Sequence, residues 1–93
     1  MEFEWDPEKS ESNLRHHGVS FQEAATVFDD ALSITVPDPD HSFDEERYII
    51  VGISHEGRLL IVSHAERGDH IRIISARELS RDERSAYEEG DFT

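Results

Sequence analysis

Residues 69–77 read Asp69-His70-Ile71-Arg72-Ile73-Ile74-Ser75-Ala76-Arg77, the clearest strand in the chain. Ile71, Ile73, Ile74 and Ala76 supply apolar, mostly β-branched bulk suited to a pleated, buried surface. Arg72 and Arg77 lie inside that run. A guanidinium is costly to bury unpaired, so each must meet a carboxylate or reach a groove open to solvent. Strict alternation puts Ile71, Ile73, Ser75 and Arg77 on one face and Arg72, Ile74 and Ala76 on the other. The stretch is therefore expected to be a central sheet strand whose polar positions carry function.

Upstream, Arg47 to Ser54 and Arg58 to Ala65 read as two more strands joined near Glu56-Gly57, and Gly68-Asp69 turns the second into the Ile-rich strand. Two-residue loops at both turns would set Arg47 opposite Glu66, Ile49 and Ile73 opposite His64, and Leu60 opposite Arg77. One face would then carry Arg47, His64, Glu66, Ser75 and Arg77, and the other Tyr48, Ser63, Arg67 and Arg72. Leu32 to Val36 is a fourth strand, stopped by Pro37-Asp38-Pro39-Asp40 because proline lacks the ladder donor and restricts its predecessor. The acidic stretch from Asp38 to Glu46 has no glycine for a calcium-binding turn and reads as a solvated loop. Both faces of this meander are apolar enough to need cover, by helices on one side and in part by a partner on the other.

Three helices frame the strands. Phe3-Glu4-Trp5 alternates as a short strand or extended lead-in. Asp6-Pro7-Glu8 then starts a helix that runs to about His17, with Gly18 as the C′ residue just past its end. Ser20 and Glu23 form a capping box for a second helix, in which Phe21, Ala24, Ala25 and Phe28 make one core-facing stripe. Ser80 and Glu83 form another capping box, for a helix from about Arg81 to Glu89 ended by Gly90, with Asp91-Phe92-Thr93 as a frayed tail.

The 93 residues suit one domain, residues 1–93, and the chain has no cysteine, so disulfides and thiolate metal sites are ruled out. With no long apolar run, the expectation is a cytoplasmic protein without a membrane span. A net charge of −13 argues against unassisted nucleic-acid binding, which rests on neutralising phosphates. The charge is uneven, however. Residues 1–46 hold 2 Lys or Arg against 13 Asp or Glu, residues 47–77 hold 5 Arg against 3 acids, and residues 78–93 hold 2 Arg against 6 acids. The strand region alone is not acidic.

An Arg-rich sheet bearing His64 and Glu66 suits cleavage of RNA by its own 2′-hydroxyl. That route needs a base, an acid and charge stabilisation, but no metal and no covalent nucleophile. His64 would exchange protons. Glu66 would act as base or orient Arg47, and Arg67, Arg72 and Arg77 would hold phosphate. The plainer reading is that His64 is a packed structural residue and that Arg47 and Glu66 are only a cross-strand pair. His16 and His17 are adjacent on a helix and do not share a face. No metal-ligand spacing, glycine-rich phosphate loop or serine-nucleophile motif is present, so no metal or cofactor is expected.

Several stretches together resemble the BrnT toxins. They are Phe3-Glu4-Trp5-Asp6-Pro7-Glu8-Lys9, Asn13, His17-Gly18-Val19, Phe21, Phe28-Asp29-Asp30, the segment from Asp38 to Arg47, Glu66-Arg67-Gly68-Asp69, Ile71 to Arg77, and Arg84-Ser85-Ala86-Tyr87-Glu88. The resemblance implies a RelE-like α+β fold, with two N-terminal helices packed on an antiparallel sheet of about four strands and a C-terminal helix. It also implies a type II toxin–antitoxin role: an endoribonuclease that cleaves RNA and arrests translation and growth. The implied partner is a BrnA-like ribbon-helix-helix antitoxin, with which the toxin represses its own operon, so operator DNA is reached only through the antitoxin. Carried onto this chain, the site candidates are Arg77, Arg72, Arg67 and Glu66, with His64 beside them and Lys9 and Arg47 as RNA-binding residues. RelE-like ribonucleases are typically basic, and this chain is not. Either the acidic surface lies away from a positive groove, or the chain is a binding module in a DNA-binding repressor complex and does not cleave RNA.

Overall fold

The computed structural model describes residues 1–38 and 46–92. Strand β1 (Glu2–Glu4) leads into helix α1 (Pro7–His17), then α2 (Phe21–Thr26), which tightens into a 3₁₀ turn at Val27–Asp29. Strands β2 (Ile34–Pro37), β3 (Arg47–Ile53), β4 (Leu59–Arg67) and β5 (His70–Glu78) follow, and helix α3 (Arg81–Glu88) closes the fold. The acidic loop expected after Asp38 lies mostly outside the described residues.

The sheet has five strands in the order β1-β5-β4-β3-β2. It differs from the expected sheet of about four antiparallel strands in two ways. The Phe3 segment is a true strand, and it pairs with β5 in parallel, Phe3 opposite Ile71. The sheet is therefore mixed.

The helix signals act locally as the sequence implies. The Asp6 side chain accepts from the Glu8 N–H at 2.9 Å, and Gly18 ends α1 at φ 70°. At α2 only half of the expected capping box forms. The Ser20 hydroxyl accepts from the Glu23 N–H at 3.0 Å, while the Glu23 carboxylate turns inward. It accepts from the Ser54 hydroxyl at 2.7 Å and from Arg58 Nε at 2.9 Å, and Arg58 also donates to the Gly18 carbonyl at 3.0 Å. A carboxylate only 5% exposed is held charged by that guanidinium, which keeps its pKa below the usual carboxylate range.

Val19, Phe21, Ala24 and Val27 pack on Ile50, Leu60, Val62, Ile73 and Ala76, with Phe3, Trp5 and Phe28 at the rim. On the other face Val51, Leu59, Ile61 and Leu79 are covered by Tyr87 of α3 and by Phe92. Phe92 is thus packed, and the tail does not fray at that residue. Among the described residues, the apolar cover on this second face lies at the Leu59 end.

Two irregularities set which side chains share a face. Ser54 N–H donates to the Arg58 carbonyl at 2.8 Å and Gly57 N–H to the Ser54 carbonyl at 2.9 Å, with Gly57 at φ 81°. The β3–β4 loop is thus the three residues 55–57, one more than expected, and the pairing becomes Arg47 with Ala65 and Tyr48 with His64. A one-residue slip exchanges the faces. The β4–β5 turn has the expected two residues, so His64 lies opposite Ile73 as expected. A β-bulge follows. Ser63 pairs with Ser75, leaving Ile74 as the extra residue, and Arg77 falls opposite Ile61, not Leu60.

Candidate functional site

On the face away from α1 and α2, cross-strand neighbours form rows. Arg47, Ala65 and Arg72 are aligned, with Glu4 beyond Arg72. Ile49, Ser63 and Ser75 form the next row, and Val51, Ile61 and Arg77 the one after. Arg67, opposite His70, extends the face at its other end. Neighbouring strands lie about 4.8 Å apart, so Arg47 and Arg72 flank Ala65 with backbones about 10 Å from each other. Arg72 and Arg77 are five positions apart and would point oppositely in a regular strand. The extra residue at Ile74 returns them to one face.

Arg72 and Arg77 are held by carboxylates. Arg72 donates to Glu4 at 2.9 Å. Arg77 donates through two nitrogens to Glu83 of α3, at 2.7 and 3.0 Å. The same Glu83 carboxylate accepts from the Ser80 N–H at 2.9 Å and so closes the capping box of α3. Those bonds, Arg77 first, hold Glu83 down at about 2.

Beside Arg77 lies a pocket of about 190 Å³ lined by His17, Ile49, Ile61, Ser63, Ser75 and Arg77. Asn13 explains how α1 comes to contribute to it. Its amide donates to the Ala76 carbonyl at 2.8 Å and to the Val19 carbonyl at 2.9 Å, and its carbonyl accepts from the Ala76 N–H at 3.1 Å. Asn13 thus pairs with the edge of β5 as another strand would. His17, four residues on, lies on the same stripe of α1 and is carried to the pocket. His16 points elsewhere, its Nδ1 lying 3.1 Å from the Ser12 hydroxyl and 2.9 Å from the Ser12 carbonyl.

Of the residues the sequence singles out, Arg47, Arg67, Arg72 and Arg77 share the face away from α1 and α2. His64 does not join them. It is 1% exposed, its ring centroid 4.8 Å from that of Phe28 and 5.9 Å from that of Tyr48 on the helix-packed side. Its Nδ1 has no hydrogen-bond partner among the described residues, and burial pushes its pKa below the ordinary histidine value. Glu66 follows His64 onto that side, with Nε2 of His64 4.0 Å from its carboxylate. Glu66 lines a cavity of about 380 Å³ with Glu2, Asp69 and His70, whose three carboxylates repel a phosphate. Lys9 is exposed on α1, four residues before Asn13 and so about 6 Å along the helix. Asn13 and Glu83 are what the sequence reading missed. The sequence placed Asn13 on α1 and Glu83 in the α3 capping box, but which residue of β5 each reaches depends on how the helices lie against that strand.

Residues 5–83 match a family model described as the ribonuclease toxin, BrnT, of type II toxin–antitoxin systems. The chain belongs to the BrnT family. Membership makes it a type II toxin of a ribonuclease family and implies an antitoxin partner. The fold agrees. The crystal structure of the Brucella abortus ribonuclease toxin, BrnT, is similar at a TM-score of 0.69 and 20% identity, covering 87% of this chain and 99% of that one. No match was found among curated protein sequences. None of the described helices is long and apolar enough to cross a membrane.

Proposed function

We propose that this BrnT-family chain is a metal-independent endoribonuclease that works from the open sheet face. One observation carries the reading: Arg47, Arg67, Arg72 and Arg77 converge on a single face beside a pocket that includes Ser63 and Ser75. Guanidiniums spaced along a groove match the phosphates of a single strand, and their planar donors suit phosphate oxygens. The 2′-hydroxyl of the RNA attacks the adjacent phosphorus, the bond to the 5′-oxygen breaks, and a 2′,3′-cyclic phosphate and a 5′-hydroxyl result. Arg72 and Arg77 offset the charge that builds on the phosphoryl oxygens. Lys9, on the rim formed by α1, extends the path for the RNA backbone.

In the cell this activity arrests translation and growth in the cytoplasm. A ribbon-helix-helix antitoxin of the BrnA type neutralises it, and the complex represses its own operon. The −13 charge favours a basic antitoxin segment, and the sheet with its packed helices suits a RelE-like assignment.

The test is incubation of the purified, antitoxin-free protein with labelled RNA in EDTA, beside Arg72→Ala and Arg77→Ala, with circular dichroism to verify folding. Cleavage by the parent and its loss in both folded variants is the expected result. RNA left intact by the parent, with and without ribosomes, would remove the nuclease reading.

A second reading, a non-catalytic partner in a repressor complex, is favoured by the carboxylates already seated on Arg72 and Arg77. Salt separates the two. RNA held by several arginines is released steeply as salt rises, whereas binding through an apolar face is not.

A further inference from the structure

We infer that His17 is a catalytic residue of this site, the base that takes the proton from the attacking 2′-hydroxyl. The inference rests on the ribonuclease reading and adds the proton-transfer group which that reading lacks, since His64 is sealed on the other side of the sheet.

Three observations support it. His17 and Arg77 line the same pocket, with the Ser63 and Ser75 positions between the strands. The placement is rigid, because Asn13, one turn earlier on the same stripe, is bonded to both backbone groups of Ala76, the residue next to Arg77. His17 is exposed and its ring makes no hydrogen bond among the described residues, whereas His16 is occupied by Ser12. Of the two adjacent histidines, one is bound into its own helix and the other is open to a ligand.

The step balances as follows. Neutral His17 takes the 2′-hydroxyl proton, and the 2′-oxygen bonds to phosphorus while Arg77 meets the phosphoryl oxygens. The departing 5′-oxygen takes a proton from water, and the resulting hydroxide recovers the proton from His17. A general base of this kind contributes about 10²–10⁴-fold to a rate. The charged groups near His17 are Arg77, paired with Glu83, and Arg58, which donates to Gly18 and is paired with Glu23.

The experiment compares the parent, His17→Ala and Arg77→Ala in RNA cleavage, RNA binding and imidazole rescue. Alanine at position 17 is expected to lower cleavage by about 100-fold or more with RNA affinity unchanged, and added imidazole to restore part of the rate in His17→Ala but not in Arg77→Ala. Parental cleavage by His17→Ala would overturn the role of His17 and leave the ribonuclease reading standing. If the parent cleaves no RNA, that reading and the catalytic role of His17 fall together, and nuclear magnetic resonance then judges only whether the pocket binds phosphate. Adenosine 3′-monophosphate is expected to shift the His17 ring signals, and less so in Arg77→Ala. Unmoved His17 signals would overturn the pocket as a phosphate site.

Discussion

Arg77 and Glu83 form a two-pronged ion pair, at 2.7 and 3.0 Å, through a carboxylate that also caps the helix it belongs to. Glu83 therefore sits where a substrate phosphate would meet Arg77. Glu83→Gln keeps the shape and weakens that competition. Stability is expected to fall by about 1 kcal/mol, since the pair is partly solvated. RNA affinity is expected to rise, with a steeper dependence on salt as one more phosphate contact becomes available. Filter binding across a salt series measures both, and an unchanged slope would mean that Glu83 does not compete.

The Glu23–Arg58 pair lies deeper. Arg58→Ala would strand a carboxylate that is 5% exposed, and removal of one partner of a buried pair costs about 3–5 kcal/mol. Chemical denaturation is the check. Because Arg58 holds the Glu23 pKa below its ordinary value, that carboxylate's contribution is present above the unfolded pKa and lost as pH falls through the folded one. Glu83, held at about 2, adds a loss between roughly pH 4.3 and 2. The parent should therefore lose stability steadily below about pH 4.3, and Arg58→Ala less so.

His64 gives a separate acid limb. Burial lowers its pKa, so the unfolded chain binds the proton more readily than the folded one. Stability is then lost as pH falls from about 6.5 towards the folded value. His64→Leu should abolish that limb. It should leave RNA cleavage intact, since the ring lies among Phe28 and Tyr48, away from the arginines. A large loss of cleavage in a folded His64→Leu would contradict the assignment of the site to the open face.

Asn13→Ala would strip hydrogen bonds from the N–H and carbonyl of Ala76, at about 1–3 kcal/mol for each group left unsatisfied in the interior. Asn13→Asp restores only the acceptor. Both variants should lower the melting temperature and, if α1 loosens at β5, also reduce cleavage through the displaced His17. Full cleavage by a destabilised Asn13→Ala would uncouple His17 from that anchor.

The strands, the three helix starts, the two glycine turns that end α1 and open β5, and the family's ordered motifs were all legible in the sequence, because each is a local matter of side-chain period, capping chemistry or backbone freedom. The faces were not. Sheet alternation has a period of two, so one uncounted residue reverses every side chain beyond it. Two such residues occur, one in the 55–57 loop and the other Ile74 in the bulge. The back-to-back Ile73-Ile74 pair was the bulge's only trace in the sequence. Without the bulge Arg72 and Arg77 would be parted by the sheet. With it they share a face, and His64, which strict alternation put on the face of Arg77, is left on the far side. Tertiary contact alone decided that Asn13 binds Ala76 and that Glu83 reaches Arg77, because those bonds depend on how α1 and α3 lie against β5, which no local pattern specifies.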